Sequence, residues 1–325
     1  MKILITGAAG STGSIAAQLL AVMPDVEMIV GVDNMFNGDM DNLWSLKDDP
    51  KFYLEVADIL DKTRMFEIFQ NGQFTHVIHA AAWVHTDHFY NSVYDVYKNN
   101  VEGTEIILAL AEQFKVKRFL NCSTSEAFGH MESFPGSPFA RSSFDSPMTS
   151  KRWSYAVGKL MCEHLAIDYD GKSPMTVVSM RYGNIYGKRD LKSTHLVPWV
   201  IRSAIQNKSV VLTAGSQSRM RSFINADDAA SATVQALLYG IGGMVYACGG
   251  KEEDTVANIA RRILGLMGME GVPVLIGTEH RAGDPDRRLL DTTLLEKDTG
   301  WMQTVSLDAG LLQVIELIRD ELDPS

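Results

Sequence analysis

The sequence MKILITGAAGSTGSIAAQLLAVMPDVEMIVGVD, residues 1–33, gives the strongest indication of the fold. Its apolar run at 2–6 predicts a buried strand, TGAAGSTG at 6–13 predicts a tight turn, and IAAQLLAVM at 15–23 predicts a helix. Glycines let the backbone approach a pyrophosphate, which then rests on the amide groups at the start of the helix. The residues predicted to bind a dinucleotide at this turn are Gly7, Gly10, Ser11, Thr12 and Gly13.

An acidic residue at the end of the second apolar run indicates which dinucleotide binds. Asp33 stands 20 positions beyond Gly13 (33 − 13). A carboxylate there accepts hydrogen bonds from the ribose hydroxyls and repels a 2′-phosphate. The sequence therefore predicts NAD rather than NADP, with Asn34 beside Asp33 in the site. The alternative interpretation is an ordinary glycine-rich turn with a capping aspartate.

Apolar runs and helical patterns alternate through the first half of the chain. The runs are mostly near-continuous, as in strands covered on both faces, and lie at 26–33, 51–58, 75–82, 117–124 and 175–187. Apolar residues at helical spacing lie between them, at 11–23, 61–70, 94–114 and 150–170. This alternation predicts an α/β fold with a Rossmann-type doubly wound parallel sheet.

The pattern changes past residue 185. Loops are predicted at 186–194, 213–222 and 268–287, and helices at 195–206, 226–239, 254–267 and 306–320. We therefore expect two domains with the active cleft between them. The predicted division is an NAD-binding domain at 1–180, also including 222–248, and a smaller substrate-binding C-terminal lid domain at 181–221 and 249–325.

Composition excludes several classes of protein. A net charge of −10 over 325 residues argues against a general nucleic-acid-binding protein, because phosphate binding relies on a surplus of Lys and Arg. The three cysteines are isolated and no His, Asp or Glu cluster has metal-site spacing, so we expect reduced thiols and no metal. No apolar stretch reaches the roughly 18 residues of a membrane span. The sequence thus predicts a cytoplasmic protein without membrane or nucleic-acid partners.

The glycine spacing GxxGxxG and several later motifs resemble those of the extended short-chain dehydrogenase/reductases. NNVEGT at 99–104, RYGNIYG at 181–187, RSFI at 221–224 and RAGD at 281–284 match that family in order. The resemblance implies an NAD-dependent enzyme acting on a nucleotide sugar, and a homodimer paired through the helices around 94–114 and 150–170. It implies cofactor contacts for Asp58, Ile59, Ala80, Ala81, Ala82, Asn99 and Tyr182, and diphosphate contacts for Asn184, Arg221 and Arg281.

The reactive centre is predicted at YAVGK, residues 155–159. Tyr155 and Lys159 are four residues apart and share one face of a helix, where the ammonium and a cationic nicotinamide lower the pKa of the phenol. A surface Tyr–Lys pair is the alternative interpretation. The family has a Ser or Thr at the end of the fifth strand, where this chain has Thr124. The resemblance implies that Thr124 holds the sugar C4 oxygen while Tyr155 removes its proton and a hydride passes to NAD.

The run Thr124-Ser125-Glu126 resembles UDP-glucuronate decarboxylases and also GDP-mannose 4,6-dehydratases. Ser125 and Glu126 are therefore predicted to be catalytic, although Ser125 is a poor acid. Arg288 aligns with an arginine of the decarboxylases and would contact the sugar carboxylate. His85, in a loop resembling that of dehydratases, is a further predicted substrate contact.

UDP-glucuronate decarboxylation is the favoured reaction, ahead of 4-epimerisation and 4,6-dehydration. Glu126 carries most of that ranking, and its alternative interpretation is a structural carboxylate. A different class also stays open, namely a non-catalytic NAD-sensing regulator, because fold does not fix function. The intact set of Thr124, Tyr155 and Lys159 argues against a sensor.

Overall fold

A seven-stranded sheet forms the larger part of the protein. The computed structural model describes residues 1–84, 92–191, 194–280 and 283–323. The strands of this sheet are β1 (Lys2–Thr6), β2 (Met28–Asp33), β3 (Phe52–Val56), β4 (His76–His79), β5 (Arg118–Thr124), β6 (Thr176–Tyr182) and β10 (Val245–Cys248). Their spatial order is β3-β2-β1-β4-β5-β6-β10 and every neighbouring pair is parallel. The predicted Rossmann-type fold is confirmed.

Helices cover both faces of this sheet. They are α1 (Ser11–Ala21), α2 (Lys62–Gly72), α3 (Val93–Val96), α4 (Gly103–Gln113), α5 (Trp153–Lys172) and α7 (Ala226–Tyr239). Successive strand residues point to opposite faces, so Ile3 and Ile5 pack with α1 and α7 while Leu4 packs with α2, α4 and α5. Burial on both faces explains why the strands are continuously apolar.

The predicted helix at 94–114 is not a uniform α-helix. Residues Tyr97–Glu102 form a π-helical segment that joins α3 to α4. Short 3₁₀ helices occur at Met40–Leu46 and Ser125–Phe128. A π-helical segment widens the backbone turn, and such segments frequently occur at functional sites. This one contains Asn99 and Asn100.

The remaining elements form a smaller unit with its own apolar core. They are β7 (Asn184–Tyr186), α6 (Leu196–Asn207), β8 (Val210–Leu212), β9 (Met220–Asn225), β11 (Glu253–Thr255), α8 (Val256–Leu266), β12 (Val274–Ile276), β13 (Arg287–Arg288) and α10 (Leu307–Leu322). The helix α9 (Thr293–Thr299) instead packs on the large sheet, where Leu295 belongs to the core that contains Ile3 and Ile5. β9 pairs with β7, β11 and β13, and β8 pairs with β12. None of the described helices is both long and apolar enough to cross a membrane.

Three details of the sequence interpretation were wrong in this part. The predicted loop at 213–222 ends in β9, and the predicted loop at 268–287 contains β12. The helix α9 was not predicted, because its seven residues include only two apolar side chains, which are adjacent and show no helical period. The predicted domain bounds stay a prediction. The segment 222–248, assigned to the NAD-binding domain, contains β10 of the large sheet but also most of β9, which pairs in the small sheet.

Candidate active site

A cavity of about 1310 Å³ opens at the carboxyl ends of the parallel strands. In open α/β sheets, ligands bind at this edge, where the strand order reverses. The predicted residues that line the cavity are Gly7, Gly10, Ser11, Thr12, Gly13, Asp33, Asn34, Asp58, Ile59, Ala80, Ala81, Ala82, Asn99, Thr124, Glu126, Tyr155, Lys159, Tyr182, Asn184, Arg221 and Arg288. Ser125 is not among the lining residues, and His85 and Arg281 lie outside the described residues.

The glycine turn after β1 has the shape of an anion cradle. Gly7 has a φ of +71°, and a Cβ there would lie 2.6 Å from the backbone nitrogen of Ala81. A Cβ on Gly13 would lie 2.3 Å from the carbonyl oxygen of Gly7. No side chain caps the start of α1, and the hydroxyl of Ser11 is buried without a hydrogen-bond partner among the described residues. These groups fit the pyrophosphate of a dinucleotide, which supplies the missing acceptors.

Asp33 lies at the end of β2, at the rim of the same cavity. One carboxylate oxygen accepts a hydrogen bond from the amide of Ala9 at 2.9 Å, and the other accepts from the amide of Met35 at 2.9 Å. Beside it, the side-chain amide of Asn34 donates to Asp58 at 2.9 Å. The two backbone bonds fix the orientation of the Asp33 carboxylate, and its predicted ribose contacts stay a prediction.

A buried chain of hydrogen bonds fixes the loop after β4, and the sequence interpretation missed it. His79 lies between the hydroxyls of Thr6 and Thr104, at 2.7 and 3.0 Å. Burial, followed by the charge of Lys159, lowers the pKa of His79 to about 3, so the ring is neutral. Thr104 donates to the carbonyl of Asn100, whose side chain binds both the amide and the carbonyl of Trp83.

Tyr155 and Lys159 both lie on α5 and line the cavity beside Thr124. Lys159 Nζ donates to the carbonyl oxygen of Cys122 at 2.8 Å. Burial raises the pKa of Tyr155, the charge of Glu126 raises it further, and the hydrogen bond with Thr124 acts in the opposite direction. The protein groups alone thus place this pKa above its ordinary value, unlike the lowering predicted from Lys159. A lower value needs a further positive charge beside the phenol, which the nicotinamide ring of NAD carries.

A buried ion pair holds α5 against the sheet next to this centre. Arg181 binds Glu163 through Nε at 2.9 Å and Nη2 at 2.6 Å, and Ser123 donates to the same carboxylate at 2.5 Å. The guanidinium of Arg181 also stacks over the ring of Phe128 at 4.3 Å. Glu163 lies one helical turn after Lys159. The Arg181–Glu163 pair therefore fixes the position of Lys159 and Tyr155 relative to the strands.

Replacing Glu163 by Gln is expected to destabilise the protein by about 3 kcal/mol, because it leaves the buried guanidinium of Arg181 without its counter-charge. The measurement is the free energy of unfolding in urea. Asp168→Asn is the matched control, since it removes an acid from the exposed Asp168–Lys172 pair of the same helix, where water screens the charges. Equal losses in both variants would contradict the structural role of the buried pair.

Glu126 lines the cavity between two arginines. Its Oε1 accepts from Arg152 Nη2 at 2.6 Å and from Arg288 Nη1 at 2.5 Å. Burial raises the pKa of Glu126, but the charges of Arg288 and Arg152 outweigh it, so the pKa lies below its ordinary value. Ser125, predicted to be catalytic, is buried behind this group and accepts from Arg288 Nη1 at 3.4 Å.

Asp284 forms a second centre of the same network. Its carboxylate lies 3.0 Å from Arg221 Nη2, 3.3 Å from Arg219 Nη1 and 3.7 Å from Arg152 Nη2. We name the group the arginine cluster, and its members are Arg152, Arg219, Arg221, Arg288, Glu126 and Asp284. Four guanidiniums meet two carboxylates, so the cluster keeps two positive charges in excess. Such a surplus in a cavity attracts an anionic ligand.

One edge of the Arg288 guanidinium has no hydrogen-bond partner among the residues that the structure describes. Its Nη1 binds Glu126, whereas Nε and Nη2 are buried and make no hydrogen bond to any residue within the described ranges. Nε and Nη2 lie on one side of a guanidinium and can bind two oxygens of one carboxylate. Arg181 uses the same two atoms to bind Glu163 in this protein. The free edge is therefore complementary to a carboxylate or a phosphate.

Three predicted residues have their side chains bonded within the protein. The amide of Asn184 donates to the carbonyl of Ser222 at 3.0 Å, and that of Asn99 donates to the carbonyl of Asp95 at 3.1 Å. The hydroxyl of Tyr182 lies 2.6 Å from that of Thr233. Their predicted ligand contacts stay predictions.

The sequence interpretation missed Arg152, Arg219 and Asp284 as members of the site. No local spacing links them, because they come from the segments before α5, before β9 and before β13. The pairing of β13 with β9 places Arg288 directly beside Arg221. The RAGD motif at 281–284, which contains Asp284, gave a signal at the sequence level, and so did the segment KRWSY at 151–155, which contains Arg152.

Comparison with known proteins gives one family and several similar sequences. The model of the NAD-dependent epimerase/dehydratase family matches residues 3–249. The trifunctional UDP-glucose 4,6-dehydratase/UDP-4-keto-6-deoxy-D-glucose 3,5-epimerase/UDP-4-keto-L-rhamnose-reductase RHM2 of Arabidopsis thaliana is 27% identical over 97% of this chain and 46% of its own length. This chain thus spans about half the length of that relative. The dTDP-glucose 4,6-dehydratase of Escherichia coli is 26% identical, over 97% of this chain and 92% of its own length.

Solved structures show the same fold. The dTDP-glucose 4,6-dehydratase DesIV from Streptomyces venezuelae superposes with a TM-score of 0.88 at 24% identity, over 98% of this chain and 97% of that chain. The UDP-glucose 4-epimerase from Thermotoga maritima superposes with a TM-score of 0.89 at 24% identity, over 99% of this chain and 100% of that chain.

Proposed function

Because the chain belongs to the NAD-dependent epimerase/dehydratase family, we propose that it modifies a nucleotide sugar through transient oxidation at C4, and that the favoured reaction is decarboxylation of UDP-glucuronate. The membership confirms the family that the sequence motifs predicted, and the family's description confirms NAD as its cofactor. The role of each residue in this mechanism is part of the proposal.

The first step is removal of the C4 hydroxyl proton by Tyr155. Thr124 holds the C4 oxygen, and the phenolate of Tyr155 accepts its proton. Lys159, fixed by its bond to the Cys122 carbonyl, contributes a positive charge on the same helix face. Bound NAD supplies the hydride acceptor and the positive ring that favours the phenolate.

Loss of carbon dioxide then requires little further catalysis. Once C4 is a ketone, the carboxylate at C6 is β to it. The bond between C5 and C6 breaks, carbon dioxide leaves, the electron pair of that bond moves into the C4 carbonyl, and C5 takes up a proton. Return of the hydride and a proton to the C4 carbonyl then restores the hydroxyl, so the net loss is carbon dioxide alone. The protein has to orient the carboxylate and balance the negative charge of the enolate, which a guanidinium can do.

The observation that supports this choice is the edge of Arg288 that has no hydrogen-bond partner in the described part of the chain. A buried guanidinium with two free N–H groups is costly unless a ligand completes its hydrogen bonds. A sugar carboxylate does so with two parallel bonds. The surplus charge of the arginine cluster supports the same conclusion, because the substrate brings a diphosphate as well as a carboxylate.

The second candidate is 4,6-dehydration, which the names of the sequence relatives favour. In that reaction Glu126 would remove the C5 proton. Two guanidiniums bind Glu126 and lower its pKa, which makes it a weak base, and Ser125 is buried behind Arg288 and is a poor acid. Epimerisation at C4 stays open, and so does an NAD-sensing regulator without catalysis, although a sensor has no need of Thr124, Tyr155 and Lys159.

The test is the mass of the product after incubation with NAD and UDP-, GDP- and dTDP-linked sugars, including UDP-glucuronate. A product lighter by carbon dioxide is expected from UDP-glucuronate. A product lighter by water would establish the dehydratase instead. Unchanged masses lead to proton NMR of the same samples, where a new C4 signal would establish an epimerase. Unchanged spectra in every sample would move the regulator ahead.

The homodimer also stays a proposal. Ile106 and Leu110 on α4 are buried in the core, so they do not form the predicted interface. About half of the surface of Tyr97, Val157 and Met161 is exposed on the two helical segments concerned. These apolar side chains support pairing through the predicted helices. A cytoplasmic location remains a prediction from the sequence.

A further inference from the structure

Arg152 is a buried arginine that the mechanism above does not use. It directly precedes α5 and lies three residues before Tyr155. Only 8% of the residue is exposed, and it lines the cavity. A buried arginine is costly unless it is paired, so its partners indicate its role.

Arg152 lies near both carboxylates of the arginine cluster. Its Nη2 lies 2.6 Å from Glu126 Oε1 and 3.7 Å from Asp284 Oδ1. Arg288 binds the same Oε1 atom of Glu126 from β13. Two guanidiniums therefore share one carboxylate oxygen, while the free edge of Arg288 has no partner among the described residues.

We propose that Arg152 is a positioning residue that keeps Glu126 ionised during catalysis, so that Glu126 holds Arg288 in place with one positive charge left over for the substrate carboxylate. The inference rests on the proposed function for the identity of that carboxylate. With Arg288 alone, the carboxylate of Glu126 would cancel the single guanidinium. With Arg152 present, two positive charges meet one negative charge.

The charged and titratable groups that face Glu126 come from several elements. They are Arg152 before α5, Tyr155 on α5, Arg288 on β13 and Arg221 on β9. Arg288 and Arg152 lower the pKa of Glu126 against the effect of burial. Loss of either guanidinium therefore favours the protonated acid, which no longer attracts Arg288 by charge.

The first experiment compares the pH dependence of kcat in the wild type and in R152M. A neighbouring arginine lowers a carboxyl pKa by about one unit or more, so R152M should lose activity at least about tenfold more at the acidic end of the profile than at the alkaline end. R152K retains a charge and should move the profile back toward the wild type. K151M removes an exposed charge from the adjacent residue and should leave the profile unchanged.

A uniform loss at every pH, without recovery in R152K, would show a merely structural role and overturn the proposal. Thermal unfolding of each variant verifies that it is folded.

A second experiment needs no substrate and separates this inference from the proposed function. Infrared difference spectra between each protein and its E126Q counterpart follow the ionisation of Glu126 as the pH changes. Glu126 should protonate at a higher pH in R152M than in the wild type or in K151M. Identical titrations would reject the role of Arg152 even if UDP-glucuronate is decarboxylated. A shifted titration without turnover of any nucleotide sugar would uphold it while rejecting the function.

Discussion

Replacing Tyr155 by Phe is expected to lower kcat by about 10³- to 10⁴-fold while leaving NAD binding nearly unchanged. The hydroxyl that Phe lacks is the group that accepts the C4 proton in the proposed mechanism. The ring itself is buried on α5 and packs with Val96, and Phe preserves that packing. The measurements are kcat with the substrate identified by product mass, and NAD affinity by calorimetry.

Tyr239→Phe is the matched control, because Tyr239 ends α7 with its side chain largely exposed. It should retain full activity. Substantial activity in Tyr155→Phe would refute Tyr155 as the base. Loss of NAD binding in Tyr155→Phe would mean that the phenol hydroxyl binds the cofactor, so the loss of activity would not identify Tyr155 as the base. Inactivity of the wild type with every sugar would favour the regulator.

Replacing Arg288 by Met is expected to lower kcat/KM for UDP-glucuronate roughly 10³-fold, which corresponds to a loss of about 4 kcal/mol of transition-state stabilisation. The change removes the guanidinium edge that binds the sugar carboxylate in the proposed mechanism. It also removes one of the two guanidiniums that bind Glu126. R288K should recover only part of the activity, because an ammonium cannot make the paired bonds of a guanidinium.

Arg287→Met is the control for that variant, since Arg287 lies next to Arg288 on β13 but pairs with Glu253 and stacks on Phe134. The assay should also include UDP-glucose, whose C6 is neutral. Oxidation of its C4, followed as NAD reduction, should fall much less in Arg288→Met than turnover of UDP-glucuronate. Equal losses with both sugars would show that Arg288 does not contact the sugar carboxylate, and the main support for decarboxylation would be lost.

Much of the fold was predictable because it depends on short-range patterns. Most strands of the large sheet are nearly continuously apolar, and several are followed by a helix with its own period. The glycine turn and Asp33 follow the same rule, since they stand at the ends of β1 and β2 and the ends of parallel strands meet at one edge. Helical spacing alone placed Tyr155 and Lys159 on one face.

Other features depend on packing and were not predictable. The sign of the pKa shift of Tyr155 is one of them, because it follows from burial and from Glu126 rather than from the nearby Lys159. The role of His79 is another, since it arises only when Thr6 and Thr104 close around it.

The Rossmann-type fold and the NAD-dependent family followed from the sequence, and so did the prediction of a reactive centre at Thr124, Tyr155 and Lys159, because each rests on patterns within single strands, turns or helices. The balance of charge around Glu126, in contrast, became visible only in the tertiary structure. Arg152, Arg288 and Glu126 lie far apart along the chain, and they meet because β13 pairs with β9 beside the start of α5. Buried charges interact through space, so their balance is fixed by the fold rather than by sequence spacing.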